Sequence, residues 1–487
     1  MGLDRIDLGN VAIIGLGVSG SAAAQFCLNH LKSAETDRVS VSSFTIYAGK
    51  RVPSTEAAAQ RFIDAGIDVI FDCEEVEGGF DLAVVSPGIS ENSGFYASAK
   101  RASADIVSEP ELAFRISPAD WIGITGTNGK TTTTMLVDHL LRTCGFDSCT
   151  VGNIGDPCIT AADERPAGRF FSAELSSYQL ATTAQFKPRV GILLNVTPDH
   201  LSWHGSHEAY RQAKFKLFAN MDADDCAIID CQDPADRAFA SELAMRGVKV
   251  VALGGPDGMG CRCDGFADLA FVEDGVLKVL FDGKELEICL ASELQIKGEH
   301  NLQNALAACS AALAVGGSLE AIAEGLRTFS PVEHRIEPCG TLHGVRFYND
   351  SKATNVDAVL KALTAFSVDD GVIILLGGRD KGTDLSELVA DCYAKCKAVI
   401  CYGESKERFL EAFSSGASEA DLQKLHEAVG MADALEKAAR LASDGDSVLL
   451  SPACASFDEF NSFEHRGETF KKLVAELIAK EDGGTAV

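Results

Sequence analysis

Trp121-Ile122-Gly123-Ile124-Thr125-Gly126-Thr127-Asn128-Gly129-Lys130-Thr131-Thr132 is the stretch on which the fold turns. Its first five residues read as a buried strand. They run straight into a glycine-rich turn, and Thr131–Thr143 continues as a predicted helix. A strict phosphate-loop pattern places glycine where Ile124 stands, but the working core is complete. Gly126 and Gly129 let backbone amides turn inward toward phosphate, with Thr127, Asn128 and Thr132 beside them. Lys130 offers a cation to the β- and γ-phosphates, and Thr131 offers a hydroxyl to Mg²⁺. A nucleotide-binding parallel sheet follows from this stretch.

The same alternation runs outward in both directions. Val11–Ile14, Leu82–Val85, Phe170–Ala173, Gly191–Asn195, Val345–Asn349, Val372–Leu376, Ala398–Cys401 and Val448–Leu450 read as buried strands. Helical periods over Asn301–Ala314, Ser318–Phe329, Asn355–Phe366 and Met431–Ala442 separate several of them. Nearly continuous apolar strands between helices mean parallel sheets covered on both faces, an α/β protein. Ala267–Leu290 differs. It alternates apolar and polar residues around Asp274-Gly275 and Asp282-Gly283, which predicts a small antiparallel patch.

With 487 residues, about three domains are expected. Borders near Val107–Glu111 and Thr328–Glu333 give a first domain over 1–108, a central nucleotide-binding domain over 109–331 and a C-terminal domain over 332–487.

Near the N-terminus, Gly15-Leu16-Gly17-Val18-Ser19-Gly20 follows a strand and opens a helix, which places a diphosphate at a helix N-terminus. A dinucleotide needs an acid at the end of the second strand to hold the ribose. That strand is predicted over Val39–Phe44 and ends Ser42-Ser43-Phe44-Thr45, without Asp or Glu. A nucleotide sugar fits better than NAD, and Val18 and Ser19 are the candidate contacts.

The net charge is −28, with 43 basic and 71 acidic residues. Such a field disfavours nucleic acid and anionic membranes. Anionic substrates therefore need local lysines, arginines, metal ions and backbone amides. Sixteen cysteines in this length are far from disulfide-scaffold density. The tightest spacing is Cys261 and Cys263, no Cys-x-x-Cys occurs, and reduced thiols are expected. Asp4 and Asp7 interrupt the N-terminus, no signal-like apolar region follows, and no apolar run nears the ~18 residues of a membrane span, so a cytoplasmic protein is expected.

The phosphate loop, together with the motifs downstream of it, resembles the Mur ligase family of ATP-dependent amide-bond-forming enzymes. Gly152-Asn153-Ile154-Gly155, Glu174-Leu175-Ser176-Ser177-Tyr178-Gln179-Leu180, Leu194-Asn195-Val196-Thr197-Pro198-Asp199-His200 and Tyr210-Arg211-Gln212-Ala213-Lys214 match its central motifs. His300-Asn301-Leu302-Gln303-Asn304-Ala305, Glu333-His334-Arg335, Asn349-Asp350-Ser351-Lys352-Ala353-Thr354-Asn355, Leu376-Gly377-Gly378-Arg379-Asp380-Lys381 and Ser451-Pro452-Ala453-Cys454-Ala455-Ser456-Phe457-Asp458 match later ones. The Asp-Asn-Pro-Arg motif of the diaminopimelate- or lysine-adding members is absent from the sequence. The resemblance implies addition of D-glutamate to UDP-N-acetylmuramoyl-L-alanine through an acyl phosphate, in peptidoglycan precursor synthesis. The alternative is another acceptor, as in other Mur-type or folylpolyglutamate-type ligases.

By the same resemblance, Lys130, Glu174, His200 and Lys214 are the catalytic set. Thr131, Glu174, His200 and Lys214 would hold two Mg²⁺ ions, with Lys214 carried as a carbamate. A carbamate needs a neutral amine, and nearby cations lower a lysine pKa. Asn301, Asn304, Arg335, Asp350 and Lys352 would line ATP. Gly15, Gly17, Val18, Ser19, Ser86, Gly88, Asn153 and His200 would contact the UDP substrate. Thr354, Lys381, Ser456 and Phe463 would hold D-glutamate. A monomer is implied, with a Rossmann-like N-terminal domain, a central phosphate-loop domain and a Rossmann-like C-terminal domain. Two departures stand out: Lys32–Arg51 is long and lacks the family's acid–threonine–arginine run, and Leu201-Ser202-Trp203-His204 differs from the common pattern. Rival readings are a catalytically dead nucleotide-sugar regulator and an NAD oxidoreductase. The first conflicts with retention of the catalytic set, and the second lacks the ribose-binding acid.

Overall fold

The computed structural model describes residues 5–31, 38–254, 265–296, 298–330, 332–380 and 382–482. Contacts divide the chain into two compact units, Met1–Glu293 with Gln303–Thr328, and Leu294–Leu302 with Phe329–Val487. Among the described residues the strands form three large sheets and one two-stranded ribbon. The first unit carries two of the large sheets, joined where the strand Ser103–Ser108 runs into the helix Glu109–Ile116.

The N-terminal sheet is parallel throughout, in the order Asp68–Phe71, Ser43–Gly49, Asn10–Ile14, Phe80–Val85, Ser103–Ser108. Strand order reverses between Asn10–Ile14 and Phe80–Val85, the switch point at which open α/β sheets bind ligands. Gly15 and Ser86 follow these two strands directly. The second strand lies later than its expected span, Val39–Phe44. Ser43–Gly49 pairs with Asn10–Ile14, whereas Val39–Ser40 pairs with Ile6–Asp7 in the separate ribbon. Val39 to Ala48 alternates in two segments of opposite phase split at Ser42-Ser43, and pairing with the central strand selects the later one. The corrected strand end, Ala48-Gly49-Lys50-Arg51, also lacks an acid.

The second sheet has nine strands, with Trp121–Thr125 between Phe170–Glu174 and Val190–Leu193. Its far edge is the expected antiparallel meander, Asp268–Glu273, Val276–Phe281 and Lys284–Leu290. Asp274 and Gly275 have φ of 51° and 74°, and Asp282 and Gly283 have 51° and 73°. Positive φ at both central residues makes these the tight hairpins that Asp-Gly favours. The meander is not separate from the parallel part, since Asp268–Glu273 pairs in parallel with Lys249–Leu253. Two glycines let the next layer down onto this sheet. A Cβ on Gly123 would lie 2.6 Å from Leu217, and one on Gly191 would lie 2.8 Å from Phe218. The turn Lys216–Phe218 thus packs directly on the strands and brings the preceding helix, His207–Phe215, to their carboxyl ends.

The second unit holds a six-stranded sheet in the order Glu337–Leu342, Val345–Asn349, Ser447–Leu450, Val372–Gly377, Cys396–Tyr402, Leu425–Glu427, parallel except for its first pair. Separate apolar clusters cover its two faces, around Leu376, Val399 and Phe409 on one side and Phe347, Leu435 and Phe470 on the other. Every cysteine among the described residues carries a free thiol. Cys261, Cys263 and Pro331 lie outside those residues.

Candidate functional site

The phosphate loop leaves the sheet where both neighbouring strands also end, with Glu174 opposite Ile124 and Leu193 opposite Thr125. Its backbone requires glycine: φ is 155° at Gly126 and 84° at Gly129. A Cβ on Gly129 would also stand 2.5 Å from Asn304 Oδ1. Asn195 braces the loop, accepting from the Asn128 amide at 2.9 Å and donating to the Asn128 carbonyl at 3.1 Å. Thr127 Oγ1 accepts from the Thr197 amide at 3.0 Å and lies 3.1 Å from the Tyr210 hydroxyl. Thr131 and Thr132 are buried at the start of the helix Lys130–Thr143. Asn304 Oδ1 accepts from Thr133 Oγ1 at 3.1 Å, so this asparagine sits against the same helix.

Two lysines converge on one carbonyl. Lys130 Nζ donates to the oxygens of Gly126 and Thr127, both at 2.9 Å, and Lys214 Nζ donates to the Gly126 oxygen at 2.7 Å. Lys214 is only 1% exposed, and its Nζ lies 4.4 Å from the centre of the Tyr210 ring. Burial pushes its pKa well below the ordinary lysine value, and the Lys130 charge adds to the shift against the opposing pull of Asp199, Glu174 and Asp236. The neutral amine required for a carbamate is thereby favoured.

Glu174 is equally buried. Its Oε1 accepts from Asn153 Nδ2 at 2.8 Å, while Oε2 is enclosed without a hydrogen-bond partner. An enclosed carboxylate oxygen is costly unless something positive meets it. Together with the Thr131 hydroxyl, this oxygen makes a hard donor set that fits Mg²⁺. Asn153 is doubly tied to Glu174, because its amide also donates to the Glu174 carbonyl at 2.9 Å.

His200 occupies left-handed backbone, with φ of 54°, and caps the single helical turn Leu201–His204. Its amide donates to Asp199 Oδ1 at 2.8 Å, and its ring lies 4.9 Å from that of Tyr178. His204 Nε2 meets Ser177 Oγ at 2.9 Å. Burial, aided by His200 and Lys214, lowers the His204 pKa to about 4, so it is neutral near pH 7.

At the N-terminal switch point, Ser86 Oγ donates to the Gly15 carbonyl at 2.9 Å. A Cβ on Gly20 would lie 1.9 Å from that carbonyl, whereas one on Gly17 would meet nothing within 4 Å. The turn is therefore tight underneath and open above. Val18 stands 79% exposed beside a cleft of about 620 Å³ lined by Gly17, Val18, Ser21, Ala48, Thr55 and Arg61. Ser19, in the first turn of the helix Val18–Asn29, and Gly88, in the connection after Ser86, do not line it.

In the second unit, Asp350 is buried and accepts from Ser451 Oγ at 2.7 Å, and burial raises its pKa to about 7. Lys352 Nζ lies 3.7 Å from the centre of the Phe463 ring. Arg466, 1% exposed, ties this region together: it donates to Ser351 Oγ at 2.9 Å, the Ser351 carbonyl at 2.8 Å and the Cys454 carbonyl at 3.1 Å. Ser351 Oγ in turn donates to the Phe463 carbonyl at 2.8 Å. The loops bearing Thr354, Ser456 and Phe463 are thus joined at the carboxyl ends of the sheet. Asn301 is buried near the start of the helix Glu299–Ala314, and Arg335 follows the buried His334. Lys381 lies outside the described residues. Glu333, His334 and Glu468 cluster closely, but Lys471 pairs with both glutamates, so a protein cation already stands among them.

Sequence reading gave no role to Asn195, His204, Arg61 or Arg466. Asn195 and His204 stood inside quoted motifs. Arg61 and Arg466 carried no signal, because a helical arginine normally reads as solvated.

The chain has relatives among known proteins. Residues 124–312 match the Mur ligase middle domain, and residues 334–454 match the Mur ligase glutamate ligase domain. The chain is 37% identical over 469 residues to UDP-N-acetylmuramoylalanine–D-glutamate ligase of Thermoanaerobacter pseudethanolicus, covering 96% of this chain and 98% of that one. It is 38% identical over 406 residues to the like-named enzyme of Alkaliphilus oremlandii, covering 83% and 86%. Among solved structures, a pseudomurein peptide ligase type C from Methanothermus fervidus superposes with a TM-score of 0.58 at 17% identity, covering 96% and 99%. UDP-N-acetylmuramate-alanine ligase from Thermotoga maritima gives 0.55 at 18% identity, covering 97% and 100%. At these identities the superpositions speak for the fold. No helix among the described residues is long and apolar enough to cross a membrane.

Proposed function

The chain belongs to the Mur ligase family, and from that premise we infer that it is an ATP-dependent ligase joining D-glutamate to UDP-N-acetylmuramoyl-L-alanine. The observation that carries the reaction class is the lone Glu174 oxygen, enclosed beside a phosphate loop on whose carbonyl two lysines converge. The acceptor amino acid rests on the relatives. Acting as a cytoplasmic monomer, the enzyme would supply a peptidoglycan precursor.

A carboxylate is a poor acyl donor, because its charge repels a nucleophile and its leaving group would be oxide. Transfer of the γ-phosphoryl group from ATP turns the L-alanine carboxylate into an acyl phosphate and releases ADP. The D-glutamate amine then attacks the carbonyl carbon, phosphate departs and the amide forms. Alignment and charge neutralisation dominate the first step. In a chain of net charge −28, that neutralisation must be local. The loop amides of Gly126 to Thr132 would take the phosphates, and Lys130 would turn from the carbonyls of Gly126 and Thr127 toward them. Thr131, Glu174, His200 and Lys214 would hold Mg²⁺, two ions in our reading. Bound Mg²⁺ offsets charge on the phosphates. Neutral Lys214 adds CO₂, losing one proton, and its carbamate supplies an anion where Lys130 already supplies a cation.

Domain roles follow the three sheets. Residues 1–108 would hold the UDP group, through Gly15, Gly17, Val18, Ser19, Ser86 and Gly88, with Asn153 and His200 reaching the sugar side. Residues 109–331 would bind ATP and metal. Residues 332–487 would contribute Arg335, Asp350 and Lys352 to the nucleotide, and Thr354, Lys381, Ser456 and Phe463 to D-glutamate, with Asn301 and Asn304 on the nucleotide side. ADP release measured with UDP-N-acetylmuramoyl-L-alanine and a panel of amino acids tests the reading. Turnover is expected with D-glutamate alone. Equal turnover with L-lysine, meso-diaminopimelate or L-glutamate would overturn the acceptor assignment.

A further inference from the structure

The single helical turn Leu201–His204 has to hold His200 in left-handed backbone. Four residues cannot form a stable helix unaided, and a non-glycine residue at φ of 54° persists only when its surroundings fix it. One anchor is internal to the central sheet: the His204–Ser177 hydrogen bond at 2.9 Å, with the Tyr178 ring 4.6 Å from that of Trp203. The other comes from the N-terminal sheet. Ser90 Oγ donates to the Trp203 carbonyl at 3.2 Å, and Asn92 Nδ2 donates to the same oxygen at 3.4 Å. That carbonyl sits in the last turn of the helix, where no intrahelical donor remains.

Ser90 and Asn92 belong to the connection that leaves the switch point, and this connection is stiff. Ser86 Oγ holds the Gly15 carbonyl at 2.9 Å, and the Ile89 amide donates back to the Ser86 carbonyl at 3.0 Å. The Ile89 side chain packs against Gly15, with Cδ1 2.9 Å from where a Cβ would stand. Ser90 Oγ accepts from the Asn92 amide at 3.2 Å. Ser93 Oγ donates to the Ser90 carbonyl at 2.7 Å and caps the next helix by accepting from the Tyr96 amide at 3.1 Å. One short, hydrogen-bonded segment therefore touches the Gly15–Gly20 turn at one end and the His200 turn at the other.

We propose that Ser90 and Asn92 are positioning residues that couple a nucleotide diphosphate on the Gly15–Gly20 turn to the placement of His200. The coupling rests on the functional reading above, in which His200 is a metal ligand. A diphosphate on the Gly15–Gly20 turn bears on the stiff Ser86–Ser93 connection, which transmits its position to the Trp203 carbonyl and through the helical turn to His200. Coupling of this kind is reciprocal, so metal must tighten substrate binding by the same factor.

The test is Mn²⁺ binding, followed by electron paramagnetic resonance, with and without UDP-N-acetylmuramoyl-L-alanine and without ATP or D-glutamate. In the unaltered protein the substrate should tighten Mn²⁺ by about fivefold or more, the low end of typical coupling. In Ser90→Ala/Asn92→Ala that factor should fall to near one, while metal-free affinity for the substrate stays within twofold. Ser90→Thr, which keeps the hydroxyl, should retain the coupling and shows that the site tolerates substitution. A double variant with an unchanged coupling factor would overturn the proposal. So would a large loss of metal-free substrate affinity, since these residues would then be substrate contacts. Failure of the functional reading would appear elsewhere, as unaltered protein that releases no ADP with D-glutamate.

Discussion

An ammonium that is 1% exposed and donates to a single carbonyl, as Lys214 does, has lost most of its hydration without gaining a buried anion in exchange. Folding can tolerate this only if the group gives up its proton, and the lowered pKa expresses that choice. In the proposed reading, reaction with CO₂ would turn the liability into a ligand. Lys214→Ala should be inactive, and short carboxylates should restore part of the ADP release by standing where the carbamate stood. Lys214→Arg should stay inactive, because a guanidinium remains charged and forms no carbamate. Intact mass under CO₂ should exceed the sequence mass by one CO₂; full activity with a bare amine would end the assignment. Lys130 makes a different demand. Its ammonium is held by the Gly126 and Thr127 carbonyls of its own loop rather than by a core side chain, so Lys130→Ala should melt where the unaltered protein melts while turnover falls on the order of 10²–10³-fold. Turnover within tenfold of the original would remove its phosphate role.

Part of the lysine's predicament was legible in the helix His207–Phe215 itself, since Tyr210, Ala213 and Lys214 share a face whose opposite positions are polar. The depth of its burial was not, because a lysine on an amphipathic helix normally reaches water. The burial originates two strands away, at Gly123 and Gly191, whose missing side chains let Leu217 and Phe218 settle on the sheet.

At the scale of elements, strand–turn–helix units were legible because glycine and periodicity mark them locally. Trp121–Thr125 and Val345–Asn349 fall where the sequence predicts, and the meander hairpins turn at both Asp-Gly pairs. The second strand was not legible, because Val39 to Ala48 alternates on both sides of Ser42-Ser43 with its phase reversed there, and only pairing with Asn10–Ile14 shows which part joins the sheet. The phosphate loop allows a direct test of the local logic. Gly129→Ala puts a Cβ on a residue at φ of 84° and 2.5 Å from Asn304 Oδ1. The backbone strain alone costs roughly 1–2 kcal/mol, so ATP affinity should drop sharply in calorimetry with a modest loss of stability. Unchanged affinity would mean that the loop does not carry the phosphates.

The joint between the two sheets of the first unit has its own pH signature. Glu109 is buried, and its Oε1 accepts from the Ile159 amide at 2.5 Å. Burial raises its pKa from 4.5 to about 7. The folded state therefore holds a proton that the unfolded chain releases above its own lower value. The stabilisation is complete below pH 4.5 and is lost as pH rises through about 7. Glu109→Gln keeps an acceptor for the Ile159 amide and removes the titration. Denaturant unfolding from pH 5 to 8 should show the unaltered protein losing up to about 1.4 kcal/mol per pH unit more than the variant. Parallel curves would contradict the assignment. Asp236 and Asp350, also raised to about 7 by burial, keep some slope in both proteins.

The whole molecule is two compact units rather than one. Each has its own sheets and apolar clusters, so unfolding need not be a single step. Nature has placed a convenient reporter: both tryptophans, Trp121 and Trp203, belong to the first unit. Tryptophan fluorescence thus follows that unit alone, while far-ultraviolet circular dichroism follows helices in both. UDP-N-acetylmuramoyl-L-alanine is assigned entirely to the first unit. A ligand that binds only the folded form stabilises it by about 2.7 kcal/mol at a hundred times its dissociation constant. In urea, substrate at that excess should move the fluorescence transition to higher denaturant. The circular dichroism transition should split, one component moving with the fluorescence and one from the second unit staying in place. If both components moved together by the same amount, the two units would unfold as one, and the division of the chain drawn from its contacts would not describe its stability.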